Sequence, residues 1–140
     1  KDRKIYSKLW TRLISAYADD RVIGIRAMGA LGTQEARNAL VTMLDDAVPE
    51  VRLATAEQLG KLGDPTGERE VLAVLNKYPG SDADPESRAR IKILTALAIG
   101  EIGTPAVTRH LPDLLRDQSQ LVRLAAAKAV LRSAPQKAGS

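Results

Sequence analysis

The sequence predicts an all-α fold, an α-solenoid of four antiparallel helix pairs, on three observations. A block of 13 residues occurs four times, beginning at Arg21, Arg52, Lys92 and Arg123. Apolar residues recur at helical spacing along almost the whole chain, and strand patterns are missing. A fixed repeat of this size is typical of stacked helix pairs, which bury their apolar faces against one another.

The four blocks agree in the chemistry of each position. The first position is always basic, the second is aliphatic and the eighth is apolar. The ninth position is glycine in three blocks, Gly29, Gly60 and Gly100, and Leu131 in the fourth. A glycine inside a helix costs about 1 kcal/mol relative to alanine. We therefore expect a neighbouring helix to approach these glycines too closely for a side chain, and the fourth block to be a terminal cap.

The first three helices are predicted over residues 2–18, 20–31 and 34–44. Apolar residues recur at helical spacing along the first two. Gly32 stops the second helix, and Thr33 caps the third.

The same signals place the fourth helix at residues 49–62, with Pro49 in its first turn. The same combination of a helix stop, a cap and a proline occurs after the fourth helix, at Gly63, Asp64 and Pro65. It opens a fifth helix, which reaches about residue 78. A sixth helix follows Asp84 and covers residues 85–102.

The last pair is predicted as helices over residues 105–116 and 120–133. The first of these helices must accommodate Pro112, and Ser119 caps the second. The whole chain, 1–140, is then a single domain whose repeats cover residues 1–32, 33–63, 64–103 and 104–134, with a tail at 135–140.

Residues 78–87 form an insertion that lengthens the third repeat. Insertions in repeat arrays fall in loops, often on one face. A plain surface loop is one interpretation; the other is a binding loop that presents Tyr78 and the acids Asp82, Asp84 and Glu86.

An acid precedes the first position of three blocks by six residues. The pairs are Asp46 with Arg52, Glu86 with Lys92 and Asp117 with Arg123. We expect each acid to accept backbone N–H bonds in its turn and to meet the cation of its own or a neighbouring repeat. The prediction is that these residues stabilise the fold more than they contribute to binding.

Composition excludes several classes of function. There is no Cys, the only histidine is His110, and no apolar run is long enough to span a membrane. Nucleophilic catalysis by a thiol therefore has no cysteine, and catalysis assisted by histidine has one candidate at most. A transition-metal site, which usually needs several His or Cys ligands, is not expected. We expect no catalytic residue, no metal and no cofactor. The chain begins at Lys1 rather than Met, which is typical of a trimmed or processed chain, and the compartment stays open.

The charge distribution argues against a continuous nucleic-acid track. The net charge is +4 in residues 1–12, −4 in 13–108 and +4 in 109–140. The basic excess lies at the ends of the chain rather than in one stripe.

The remaining candidate residues are surface side chains. Positions six and ten of the blocks should face away from the adjoining helices, which gives partner-binding candidates Arg26, Glu57, Lys61, Glu101, Lys128 and Arg132. Trp10 with Tyr6 and Tyr17 is predicted to share one helical face, either as core packing or as an aromatic binding spot.

The template from Val51 to Pro65 resembles the short HEAT-like repeats named after the phycobilisome lyases. The resemblance covers about residues 19–134 and weakens in the fourth block. It implies an α-solenoid with a concave face lined by the second helix of each pair, and mostly protein-binding functions. The deoxyhypusine hydroxylase branch uses His-Glu dipeptides, but His110 is followed by Leu111. The HEAT-like DNA glycosylases need aromatic residues that are scarce here.

We therefore expect a non-catalytic scaffold that binds a partner protein or peptide on the concave face, as a monomer or weak dimer. Two alternatives stay open: nucleic-acid binding through the basic ends, and an accessory subunit of a lyase-type enzyme.

Overall fold

The computed structural model describes residues 2–77 and 84–138. These residues form nine α-helices and two short 3₁₀ turns, joined by short connections. The helices are α1 (Asp2–Leu13), α2 (Ala18–Leu31), α3 (Gln34–Thr42), α4 (Pro49–Lys61), α5 (Glu68–Lys77), α6 (Pro85–Ile102), α7 (Pro105–Thr108), α8 (Leu111–Leu114) and α9 (Gln120–Ala138). These residues contain no strand, so the all-α prediction is confirmed.

Four of the helices, α2, α4, α6 and α9, pack side by side in chain order. We call them the second helices, since each one ends a repeat. The first helices α1, α3 and α5 and the short α8 each pack against the second helix of their own repeat. This arrangement is the solenoid of four helix pairs that the repeat predicts.

Glycine ends three of the second helices, as the sequence indicates. Gly32, Gly63 and Gly103 have φ angles of 67°, 81° and 69°, in the left-handed region that side chains disfavour. The chain restarts at once after Gly32: the hydroxyl of Thr33 accepts a bond of 3.1 Å from the N–H of Ala36.

The hydrophobic core consists of two clusters of buried side chains that share α4. Leu53 and Ala56 of α4 belong to the cluster that extends to α9, whereas Val51 and Leu59 belong to the cluster that extends to α1. Every residue of 53–59 is buried, including Glu57 and Gln58. The central second helix therefore links the two halves of the array.

The glycines at position nine lie where neighbouring second helices touch. A Cβ atom on Gly60 would be 2.9 Å from the backbone of Glu101 and Ile102, and one on Gly100 would be 2.9 Å from the Cα atom of Ala129. At Gly29 the nearest atoms belong to the side chain of Gln58. The predicted close approach is therefore present at all three positions.

The first helix is shorter than predicted. It ends at Leu13 instead of residue 18, because Ser15 organises a turn: its hydroxyl accepts from the N–H of Tyr17 and donates to Asp20. Tyr17 therefore leaves the helix and becomes the residue before α2.

The seventh predicted helix, residues 105–116, is broken into α7 and α8. Pro112 lies in the first turn of α8. Proline has no N–H to donate, and its ring would clash with the carbonyl of Thr108 in a continuous helix. The chain therefore turns at Arg109 and His110 before the helix resumes.

Several other helix boundaries differ from the predicted ones, and three of the differences are larger than two residues or add a 3₁₀ turn. The third helix ends at Thr42 and continues as a 3₁₀ turn, Met43–Asp45. Another 3₁₀ turn, Pro65–Gly67, precedes α5. The last helix runs to Ala138, past the predicted end near residue 133.

Acids in the turns before second helices bind a cation of the preceding repeat. The Asp46 carboxylate accepts from Arg21 at 2.8 and 3.1 Å and also from the N–H of Val48. The Asp117 carboxylate accepts from Lys92 at 2.6 Å and from the N–H of Ser119. These carboxylates join neighbouring repeats, which is the second of the two geometries that the sequence allowed.

The cation of each turn's own repeat binds a backbone carbonyl instead. Arg52 donates to the carbonyl oxygen of Asp46 at 2.6 Å, and Arg123 donates to that of Asp117 at 2.7 Å. In the third repeat the pattern changes: Glu86 is exposed, and Arg52 binds Glu70 of α5 at 2.5 Å.

Replacing Arg52 with Ala should lower the free energy of unfolding by about 1–2 kcal/mol, because a half-buried carboxylate and a carbonyl lose their donor. Urea denaturation measures the change. Arg69→Ala, at an exposed position of α5, is the matched control and should stay within about 0.5 kcal/mol of the parent. Equal midpoints for both variants would contradict the structural role of Arg52.

The pKa of Asp117 should make its contribution to stability depend on pH. Partial burial raises this pKa, but the bonds from Lys92 and Ser119 outweigh that effect and hold it below its ordinary value of 3.8. The carboxylate therefore stabilises the folded chain above that value, and the contribution disappears as the pH falls further. The stability difference between the parent and Asp117→Asn should be constant from pH 7 to about 5 and shrink below about pH 4. A difference that is the same at pH 3 and pH 7 would exclude this linkage.

Candidate functional site

Charged side chains at positions six and ten form ion pairs between second helices. Arg26 of α2 binds Glu57 of α4 at 3.5 Å. The guanidinium Nε of Arg132 in α9 lies 3.1 Å from both carboxylate oxygens of Glu101 in α6. Each pair joins the same block position in the second helices of two adjacent repeats: position six for the first pair and position ten for the second. The structure thus brings four of the predicted residues together on one side of the array, which we call the second-helix face.

On this face the carboxylates are more deeply buried than the guanidinium groups that bind them. The side chains of Glu57 and Glu101 are only 9% and 11% exposed, whereas those of Arg26 and Arg132 are 46% and 55% exposed. Long arginine side chains can cover a carboxylate and keep their outer edge in water. The surface that a partner meets is therefore more basic than the count of charges indicates.

Lys61 and Lys128 complete the predicted set and lie on either side of a shallow groove of about 60 Å³. Both lysines are exposed, and within residues 2–77 and 84–138 neither ammonium group has a carboxylate within 4.0 Å. Leu97 of α6, which is half-buried, lines the groove between them. We call this feature the Lys61–Lys128 groove; its other charged lining residues are Glu57, Glu101 and Arg132.

Helical spacing and close packing together build this groove. Positions six and ten are four residues apart, so Glu57 and Lys61 occupy the same side of α4. Gly100, which also lines the groove, lets α9 approach α6 until Ala129 contacts it. The spacing could be read from the sequence, but the depth of the carboxylates could not.

The aromatic candidates do not form the predicted cluster of three. Tyr6 and Trp10 stack with ring centroids 6.5 Å apart and planes 15° apart. Tyr17 lies beyond the end of α1 and is 73% exposed. The stack of Tyr6 and Trp10 therefore lies on α1, and Trp10 remains partly exposed there.

Only the end of the insertion falls among the described residues. Tyr78 and Asp82 lie outside them. The carboxylate of Asp84 accepts from the N–H and the hydroxyl of Ser87 at 2.9 Å, which caps α6. The backbone bond from Ser87 is the main cause of a lowered pKa at Asp84. This acid has a capping role at the start of the helix.

A larger cavity of about 330 Å³, which sequence reasoning missed, lies between α5, α6 and α8. Its apolar lining includes Val74, Leu75, Ile91 and Leu114. Its charged lining includes the bonded pair of Lys92 and Asp117, so the charges serve the contact between repeats. His110 also lines it, and the Nε2 atom of this residue is buried without a hydrogen-bond partner.

Chemistry-bearing groups are otherwise sparse in the described residues. Residues 2–77 and 84–138 contain no group of three or more histidine and acidic side chains placed to hold a metal ion. None of the described helices is long and apolar enough to cross a membrane.

The first helix exposes basic side chains, and the last helix exposes apolar ones. The exposed basic side chains of α1 include Arg3, Lys4 and Lys8. On α9, Leu121, Leu124 and Leu131 are all more than half exposed, and Leu131 is 71% exposed at the position where the other repeats have glycine. In those repeats this position faces the following second helix.

Sequence comparison agrees with the geometry. The family model described as HEAT repeats matches residues 8–91, which is more than half of the chain. The chain belongs to the HEAT repeat family. No curated protein matches it at a significant level. HEAT repeats generally act as protein-interaction scaffolds and are typically non-catalytic.

Removing Arg26 should destabilise the chain through the carboxylate that it covers. Arg26→Ala is expected to lower the free energy of unfolding by about 1 kcal/mol, because the recessed Glu57 loses the cation that binds it in the described structure. Glu57→Gln neutralises that acid, so the double variant Arg26→Ala/Glu57→Gln should recover part of the lost free energy of unfolding. Urea denaturation of the parent, both single variants and the double variant gives the coupling. A coupling of zero would show that the two side chains do not interact in solution.

Proposed function

We propose that this HEAT array is a non-catalytic scaffold that binds a partner protein or peptide on the second-helix face. We expect this face to be the concave side of the solenoid. The observation that carries the proposal is the Lys61–Lys128 groove, which combines free cations with the apolar surface of Leu97. Polar groups that converge on an apolar patch are typical of surfaces that bind peptides.

The residues proposed for partner binding act in two ways. Lys61 and Lys128 are exposed and free of ion pairs in the described structure, so they can bind a partner directly. Arg26 and Arg132 offer their exposed edges, while Glu57 and Glu101 hold those two arginines in place. Trp10, partly exposed in its stack with Tyr6, is proposed as a secondary contact, and Tyr78 remains a prediction.

Filling the groove without changing its charge tests the proposal. Leu97→Trp adds bulk between the two lysines, whereas Leu115→Trp places the same bulk at a partly exposed leucine after α8. Both variants are first checked for parental helicity and cooperative melting. Partners captured from a lysate of the source organism are identified by mass spectrometry, purified and measured by calorimetry.

We expect Leu97→Trp to weaken the purified partner's binding by about tenfold or more, and Leu115→Trp to leave it within about twofold. Equal binding by the parent and both variants would move the site away from this face. Binding that needs Lys4 and Lys8, appears with an oligonucleotide and collapses with salt would favour the nucleic-acid alternative through the basic end.

A further inference from the structure

We propose that the segment bound on the second-helix face is acidic, and that one of its carboxylates lies between Lys61 and Lys128 over Leu97. The inference rests on the proposed function and specifies its partner chemistry. At positions six and ten the face holds four cations and two carboxylates, Glu57 and Glu101, each already bound to an arginine of the next or preceding repeat. The surplus is the two lysines that flank the groove.

The depth of the carboxylates favours an acidic partner over a basic one. A basic side chain would have to reach Glu57 or Glu101 beneath the arginines that bind them. It would also approach four cations at the surface, and like charges brought together across an interface oppose binding. A carboxylate is favoured by the same charges, since the exposed ammonium groups of the two lysines have no ion pair in the described residues that it would have to displace.

The groove itself fits a carboxylate on a short apolar stem. Its volume of about 60 Å³ is much smaller than an ordinary small-molecule site. Leu97 supplies apolar surface for methylene groups, and a lysine on each side supplies charge-assisted hydrogen bonds. A glutamate or aspartate side chain of an extended or helical segment has these dimensions and these groups.

The remaining charges on the same helices argue for a peptide rather than a nucleic-acid backbone. Seven residues before position six, on the same side of each helix, α2 and α4 carry Asp19 and Glu50 whereas α6 carries Arg90, so cations do not continue along the face as an unbroken stripe. A phosphate backbone gains affinity from many cations placed in a row. Two lysines at one groove instead select a local acidic group.

The test uses a labelled peptide of alternating Glu and Ser as the probe, with a Gln and Ser peptide as the neutral control. Anisotropy is measured with the intact chain and with Lys61→Met/Lys128→Met, which removes both charges and keeps the length of the stems. Lys4→Met/Lys8→Met on α1 is the matched control, because it removes the same charge from another exposed surface.

We expect the Glu peptide to bind the parent and the α1 control within about twofold of each other, and the groove variant about tenfold or more weakly. Nitrogen-15 chemical shifts of Lys61, Leu97 and Lys128 should move on titration. Binding of the Gln peptide equal to that of the Glu peptide, no binding of the Glu peptide, or equal binding by both lysine variants would overturn the proposal. Tighter binding of oligouridylate through the same lysines would overturn it in favour of a phosphate ligand.

The partner from the preceding experiment separates this inference from the proposed function. If Leu97→Trp abolishes partner binding but Lys61→Met/Lys128→Met does not, the face binds a partner that is not acidic, and only this inference fails. If neither substitution affects the partner, the proposed function fails as well. Loss of binding in both variants supports both proposals.

Discussion

The close approach of adjacent second helices is the constraint on which the rest of the structure depends. Gly60 meets the backbone of Glu101 and Ile102, and Gly100 meets Ala129. Protein interiors are packed so densely that one extra methyl group at such a contact must displace something. The sequence retains glycine there at a cost of about 1 kcal/mol in helix propensity, because the contact between repeats depends on it.

The same spacing determines how charges are distributed on the surface. Because neighbouring second helices are close, Arg26 reaches Glu57 and Arg132 reaches Glu101, and both acids become recessed beneath their arginines. In the turns before α4 and α9, Asp46 and Asp117 bind Arg21 and Lys92. The charged side chains of these four pairs join repeats, whereas Lys61 and Lys128 have no carboxylate partner in the described residues and are the ones we propose for a partner.

The features that could be predicted from sequence are those that repeat. Gly32, Gly63 and Gly103 have left-handed geometry, and the glycines at position nine lie at helix contacts. Features that depend on one local group were missed: the turn that Ser15 organises, and the break before Pro112. The candidate residues at positions six and ten could be found by spacing. Their pairing across repeats and the burial of the two acids could not, since both depend on the distance between helices.

The most direct test of this account is the thermal and urea stability of Gly60→Ala and Gly100→Ala beside Gly29→Ala. At the first two positions the new Cβ atom would meet backbone or a Cα atom, so the free energy of unfolding should fall by about 1–3 kcal/mol. At Gly29 the two nearest atoms belong to the amide end of Gln58, which can rotate away, and only the Cβ atom of Gln58 at 3.0 Å must shift slightly, so the loss should be smaller. If all three alanines raise stability by about 1 kcal/mol, as helix propensity alone would predict, close approach does not govern the stacking of the repeats.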